Sequence, residues 1–405
     1  MLSWRSPNNR ASLTGGLMSS SAGPKGPLYF YSSQFQKFNY GPTHPLRMIR
    51  LELTNKLIEL VHLPGPVEDF QPASYQQLGL FHDRHYLTIL KELSQGEEVS
   101  DYFNFGLGAG DNPVFPGIYD LSSLATGGSI AAAKAVVEGG RETAFAIAGG
   151  MHHALAGRAS GFCYINDPVV AIKTLVQKGL RIAYVDIDAH HGDGVQWAFF
   201  DTDQVLTISL HQHGATLFPG TGGLEEVGRN KGKGFSLNLP FWPDTDDDIF
   251  MDGFDRVVPP ALEAFAPDYV VVQLGVDTLL ADPLANMNLS TKGFCHAVRY
   301  FKEQWPGRWI ALGGGGYNVI NVARCWTLAW AIMLGKYHEV PDMLPEKLAD
   351  LLKIPADERF LKDPEQKIRG RFWDRAKRDA EDAIKILEST LFPALGAKVV
   401  KKITL

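Results

Sequence analysis

From residue 28 onward the hydrophobic positions follow two alternating rhythms. Short, wholly apolar runs end in Gly or Asp: "ETAFAIAGG", "GLRIAYVDID", "DYVVVQLGVD" and "RWIALGGGG", with "QVLTISLHQ" as a fifth of the same kind. Each leads into a stretch with helical apolar spacing. Runs that are apolar on both faces predict strands buried on both sides, and their alternation with helices predicts a parallel sheet. Upstream, the aromatic "GPLYFYS" is β-prone, "HPLRMIRLELTNKLIELVHL" has helical spacing after a proline, and "PASYQQLGLFHDRHYLTILKELS" continues as helix. The chain from Pro341 on is charged and helical, its longest candidate being "PEQKIRGRFWDRAKRDAEDAIKILESTL"; mixed charges suit a solvated helix face, so this reads as a packing extension. The expected fold class is α/β: a single-domain, doubly wound, mostly parallel sheet with helices on both faces over residues 27–340, carrying a helical C-terminal extension over 341–405.

Composition narrows the function classes. The 405 residues are 45% hydrophobic and 21% charged, as in an ordinary globular protein. The net charge of -6 and the lack of a long Lys/Arg block argue against nucleic acid as a direct partner. No apolar segment approaches the roughly twenty residues that cross a bilayer, so no membrane partner is expected. Cys163, Cys295 and Cys325 form no C-x-x-C pair, which supports neither a disulfide framework nor a cysteine zinc site and points to a reducing, cytoplasmic location. Residues 1–26, rich in Ser, Gly and Pro and without acids, read as a disordered tail. Oligomeric state is left open.

In doubly wound sheets, ligands bind beyond the carboxyl ends of the strands. The unusual polar clusters all fall there: "GGMHH", "DIDAHHGDG", "GVD" and "GGGGYN". Asp188 and His190 are two apart, so in extended backbone they point to the same side and can converge on one ion. Asp277, at the tip of a neighbouring strand, is the best third ligand for zinc or ferrous iron, which take about three protein ligands with one position open. A lone D-x-H is more simply a loop cap. Here Asp186, His191 and Asp193 crowd the same eight residues, and so many charges require pairing or a cation. His152 and His153 follow a Gly pair; one imidazole can act as a base and the other can stabilise charge, with Asp186 and Asp193 as spare acids to orient them. Alone, "HH" is weak. The glycines before Tyr317 permit close backbone approach and mobility, and a phenol can donate to an oxyanion, although the motif alone fits a buried turn tyrosine equally well. "GGGGYN" lacks the spacing of a phosphate loop. Gly161, Phe162 and Phe218 lie near these motifs; if they line the site they make a narrow apolar channel, and Cys163 reads as a buried, inert thiol.

Taken in order, "GGMHHA", "SGFCYIND", "YVDIDAHHGDGVQ", "TISLH", "FPGTG", "QLGVDTLLADP" and "LGGGGYN" resemble the metal-dependent histone deacetylase family, of arginase/deacetylase fold, from about Tyr29 to Gly335. "GAGDNPVFPGIYDLSSLATGGS" looks nearest to the bacterial acetoin-utilisation branch, which is similar to class I enzymes. The resemblance implies removal of acetyl or related acyl groups from protein lysines. It implies a catalytic Zn2+ or Fe2+ on Asp188, His190 and Asp277, a catalytic pair His152 and His153 supported by Asp186 and Asp193, and Tyr317 polarising the acyl carbonyl. It makes Asp111 a rim residue that holds the substrate backbone, and Gly161, Phe162, Phe218 and Leu284 an acyl-lysine tunnel, with Leu284 where many relatives carry Met. Structural K+ is also implied: one ion at Asp186, Asp188, His190, Ser209 and Leu210, another at Phe199, Thr202, Val205 and Phe235, where Phe235 replaces a common tyrosine.

Three other readings compete. "DIDAHH" and "VDTLLADP" also resemble binuclear ureohydrolases, but a lone "GVD" supplies too few bridging aspartates. Small acetylated amines such as polyamines are an alternative substrate. A catalytically dead acyl-lysine module would have lost a ligand, a histidine or the tyrosine, and none is missing. His191 is left without a role.

Overall fold

A computed structural model of the chain describes residues 25–396 except 68, 109 and 366. Most of the expected N-terminal tail, residues 1–24, and the end of the C-terminal extension, 397–405, lie outside the described residues. Seven strands, β1 (Leu28–Phe30), β2 (Thr143–Ala146), β3 (Ile182–Asp186), β4 (Val205–Gln212), β5 (Ser236–Phe241), β6 (Tyr269–Gln273) and β7 (Trp309–Leu312), form one sheet in the order β1-β2-β7-β6-β3-β4-β5. Every pairing is parallel.

The double apolar character of the strands has a direct structural reason. Successive side chains leave a strand on opposite faces. Ile182 and Tyr184 of β3, Val271 of β6, and Ile310 and Leu312 of β7 enter one core, with Ala132 and Val136 of the helix Ile118–Val137 and Val169 and Ile172 of the helix Asp167–Val176. Ala183, Val185, Val270, Val272, Trp309 and Ala311 enter the other, against the helices Ile49–Leu60, Asp247–Phe265, Thr291–Gln304 and Val319–Met333. The sheet is thus covered on both faces, the doubly wound α/β arrangement expected from the sequence.

The strand order also fixes where a ligand belongs. From β3 the chain moves outward to β4 and β5; it then returns to β6 on the other side of β3 and moves on to β7. Neighbours β3 and β6 therefore feed loops that diverge, leaving a crevice at their carboxyl ends, the topological switch point. Register pairs Asp186 with Gln273 across that junction.

Local structure departs from the sequence expectations in four places. "PASYQQLGLFHDRHYLTILKELS" is two helices, Tyr75–Leu78 and Arg84–Ser94, because a Ser74–Gln77 capping box closes one turn and Asp83 N–H bonds to Ala156 O instead of continuing the helix. The C-terminal helix begins at Trp373, after Gly370, rather than at Pro364. Strand β5 and the helix Ile118–Val137 were not anticipated; the latter is rich in small residues, Ser122, Ala125, Gly127 and Gly128 among them, buried without a clear polar face. The extension is tied to the sheet domain by Arg256, which donates to Glu381 at 2.8 Å and Glu388 at 3.0 Å, and by Trp373 Nε1, which donates to Asp246 at 2.6 Å.

Candidate active site

Immediately past the ends of β3 and β6 lie Asp188, His190 and Asp277, the one group of His, Cys, Asp or Glu among the described residues whose ligand atoms all approach within 4.8 Å of one another. His190 Nδ1 lies 3.1 Å from Asp188 Oδ1 and 3.0 Å from Asp277 Oδ2. The carboxylates are held from behind. Asp188 Oδ2 accepts from Gln273 Nε2 at 2.7 Å and from Gly315 N at 2.8 Å, and Asp277 Oδ1 accepts from Ala189 N at 2.7 Å. Gly315 is required here, since a Cβ on it would sit 2.1 Å from Asp277 Oδ2.

The two histidines expected to act in catalysis stand beside this cluster. His152 Nδ1 contacts Asp186 at 2.7 Å, His153 Nδ1 contacts Asp193 at 2.7 Å, and the two Nε2 atoms are 3.0 Å apart. His152 Nε2 is 4.0 Å from Asp188 Oδ1, so the pair and the cluster form one site. Asp186 also accepts from Tyr184 OH at 2.7 Å and from Asp188 N at 3.1 Å. All four acids and histidines of the pair and its supports are buried.

Electrostatics follows from that burial. Burial lowers the pKa of His152, but Asp186 and Asp188 outweigh it and push it up to about 9. For His153, burial and the neighbouring His152 prevail over Asp193 and bring it down to about 4. The two rings are thus pushed in opposite directions: the carboxylates favour the charged form of His152, and burial with His152 favours the neutral form of His153. Burial opposes a charged Asp277 and Asp188 repels it, so its pKa is raised; burial likewise opposes charge on Asp188, but His152 and His190 hold its pKa low. Burial lowers the pKa of His190, but hydrogen bonds to Asp188 and Asp277 outweigh it and push it up to about 10. Two buried carboxylates and an imidazole nitrogen aimed at one point suit a divalent cation, which would hold both acids ionised. The donor set fits a zinc-type metal.

Three of the four residues expected to line a channel, Gly161, Phe162 and Phe218, lie beside these groups. The Phe218 ring lies 5.1 Å from His153 and 6.5 Å from His190, and Phe162 meets Tyr317 edge-on at 5.5 Å. Gly161, at φ +48°, leaves room for His153 and Phe218. Tyr317, whose ring is 6.1 Å from His190, is partly buried, and burial together with Asp277 raises its phenol pKa well above the usual value. Asp111 is exposed; its main-chain oxygen meets His44 Nε2 at 3.1 Å, and His44 packs on Phe162 at 4.5 Å, so one residue separates Asp111 from Phe162. Leu284 is half-buried on the loop after β6.

For the implied potassium positions, Asp186 and Ser209 are register partners on β3 and β4, with Leu210 next in line. Of the second set, Thr202 N donates to Phe199 O at 3.2 Å, Val205 begins β4, and Phe235 O accepts from Thr207 N of β4 at 3.0 Å. His191, unassigned from sequence, bridges Thr221 Oγ1 at 2.8 Å and Gln196 Oε1 at 3.2 Å, anchoring the loop that carries Phe218.

Sequence reasoning missed several supports. Gln273 was legible as the one polar residue of "YVVVQ". Tyr184 was legible as two residues before Asp186, hence on the same side. Arg50, buried in a helix far upstream and donating to Gly316 O at 3.1 Å, carries no local signal, and neither does Asp282, whose carboxylate accepts from Tyr317 N at 2.8 Å.

A parallel α/β sheet with a buried Asp–His–Asp cluster and a carboxylate-supported histidine pair at its switch point defines a hydrolase-type site. Comparison with known proteins makes the assignment specific. Residues 44–333 match the histone deacetylase domain. The chain is 39% identical to histone deacetylase B of Dictyostelium discoideum over 78% of this chain and 75% of that one, and 38% identical to human histone deacetylase 1 over 78% of this chain and 66% of that one. An HDAC homolog from Aquifex aeolicus superposes with a TM-score of 0.82 at 36% identity, covering 89% of this chain and all of that one, and an HDAC homolog complexed with SAHA gives 0.82 at 37%. The chain belongs to the histone deacetylase family, with its arginase/deacetylase fold, and is a hydrolase of the lysine deacetylase class. Among the described residues, no helix is long and apolar enough to cross a membrane.

Proposed function

We propose that the chain removes acetyl or related acyl groups from protein lysine side chains, using a single catalytic Zn2+ or Fe2+ on Asp188, His190 and Asp277. The observation that carries this reading is the contact of two units, the Asp–His–Asp cluster and the His152–His153 pair, with the Phe218 ring against His153 and the Phe162 ring against Tyr317. A divalent ion there supplies Lewis acidity, polarising an acyl carbonyl and acidifying water. His153, oriented by Asp193 and neutral at its Nε2, takes the proton of the attacking water and returns it to the departing lysine amine. His152, paired with Asp186, holds positive charge beside the developing oxyanion, and the Tyr317 phenol donates a hydrogen bond to it. Phe162, Phe218, Gly161 and Leu284 confine the aliphatic chain, and Asp111 at the rim holds the substrate backbone. Structural K+ at the two positions described would brace β3 and β4 behind the metal ligands.

The test is acetate release from an acetyl-lysine peptide by protein stripped of metal and then titrated with zinc or ferrous iron. Activity returning at one equivalent supports the proposal. Inactive protein with one ion bound would redirect the search to other acyl groups or to small acetylated amines. Two bound ions would favour the ureohydrolase alternative.

A further inference from the structure

Tyr317 is presented by a main chain that does not stand alone. The Asp282 carboxylate, on the loop after β6, receives N–H groups from both sides: Tyr317 at 2.8 Å and Asn318 at 3.4 Å through Oδ2, Leu284 at 2.9 Å and Ala285 at 3.4 Å through Oδ1. Two further bonds run the other way. Asn318 Nδ2 donates to Ala281 O at 3.4 Å, and Asn321 Nδ2 donates to Leu280 O at 3.0 Å. Ala281 sits at φ +68°, a conformation that costs a non-glycine residue energy and persists where surroundings enforce it. The loop after β6 is thereby sewn to the loop after β7.

We infer that Asp282 is a positioning residue for the deacylation, fixing the Tyr317 main chain in register with the channel wall at Leu284. The inference rests on the proposed roles of Tyr317 and Leu284. One carboxylate bonded to the backbone of both loops makes the wall that confines the acyl-lysine and the donor that meets its oxyanion move as one unit. A carboxylate accepts through both oxygens, whereas an amide accepts through only one. Asp282→Asn therefore turns an NH2 group toward one of the two loops and pushes it away.

The experiment is a double-mutant cycle of Asp282→Asn with Tyr317→Phe, measuring kcat and KM for an acetyl-lysine peptide, metal equivalents bound and urea midpoint for each variant. Displacing the phenol by a fraction of an ångström to 1 Å is expected to lower kcat about 10- to 100-fold in the Asp282→Asn single variant. Metal stoichiometry stays at the wild-type value, and in the Tyr317→Phe background the same change costs less than about 2-fold. Equal losses in both backgrounds, or no loss in the single variant, overturn the inference. Should Tyr317→Phe alone keep wild-type kcat, the role of Tyr317 fails instead, a distinguishable result. If Asp282→Asn does not fold, Asn321→Ala, which removes the bond to Leu280 O, enters the same cycle and must show the same non-additivity; additivity there overturns the inference.

Discussion

Adding one methyl group at Gly161 is a stringent test of the site. The residue sits at φ +48°, where L side chains are rare, and an added Cβ would lie 2.5 Å from His153 Cδ2 and 2.8 Å from Phe218 Cε1. Optimal carbon separations are about 3.5–4.0 Å, so both contacts are roughly 1 Å too short. Phe218 is 43% exposed and can yield. His153 cannot, because its Nδ1 is held by Asp193 at 2.7 Å and its Nε2 lies 3.0 Å from His152. Relief therefore has to come from the His153 ring or from the Gly161 main chain, and either disturbs the proposed base. Backbone strain should cost about 1–2 kcal/mol of stability, and a displacement near 1 Å should lower kcat/KM about 10- to 100-fold. Gly140→Ala is the control. It has φ +63° but no atom within 4 Å of an added Cβ, so it should lose comparable stability and keep full kcat/KM. Urea denaturation and initial rates on an acetyl-lysine peptide read both quantities. If Gly161→Ala retains kcat/KM within about twofold of Gly140→Ala, the packing of His153 against the channel wall is not what positions the base, and the reasoning fails.

Three other changes separate catalysis from scaffold. Asp193→Asn should leave metal bound at one equivalent but lower kcat about 100-fold or more, because an amide at 2.7 Å from His153 Nδ1 no longer favours the proton that orients the ring; single-turnover rates beside metal analysis check it, and an unchanged kcat would remove Asp193 from the mechanism. Arg256→Met removes the guanidinium that Glu388 meets at 3.0 Å and one of the partners of Glu381, which keeps Lys385 at 3.7 Å, and should cost about 1–3 kcal/mol in urea unfolding while kcat at 25 °C stays at the wild-type value. His82 tests pH dependence. It is buried, its Nε2 accepts from Asn166 N at 3.0 Å, and burial brings its pKa down to about 4. A histidine lowered in the folded state binds its proton first in the unfolded state, so stability is full above about pH 6.5 and falls as pH drops toward 4, by at most about 3 kcal/mol. His82→Gln should flatten that slope between pH 7.5 and 5, and parallel slopes would show that His82 stays charged or exposed.

The legibility of this site in the sequence has a physical limit that can be located residue by residue. Asp186, Asp188 and His190 could be read because a period of two puts them on one side of an extended segment, and Asp193 because the turn after them brings it back toward His153. Asp277 and Tyr317 could be read because apolar runs ended there, and parallel strands of one sheet bring their carboxyl ends to one rim. What strand periodicity conveys is direction, and direction was enough to gather the three candidate ligands. It does not convey neighbour order. Nothing in "DYVVVQLGVD" says that β6 lies beside β3, so the pairing of Asp186 with Gln273 and the bond from Gln273 to Asp188 appear only with the topology. Arg50 is further out of reach, since it lies on a helix 266 residues before its partner, Gly316. Asp282 fails for a different reason. Its partners are main-chain N–H groups, which every residue but proline carries, so no side-chain pattern marks them. Strand β5 was lost because "SLNLPF" holds Ser, Asn and Pro in a run that is nonetheless buried throughout. Chemistry carried by side chains at strand ends was therefore readable, while the backbone acceptors and donors that hold it in register were not. That division is why a residue such as Asp282, silent in the sequence, can govern the aim of Tyr317, which is conspicuous in it.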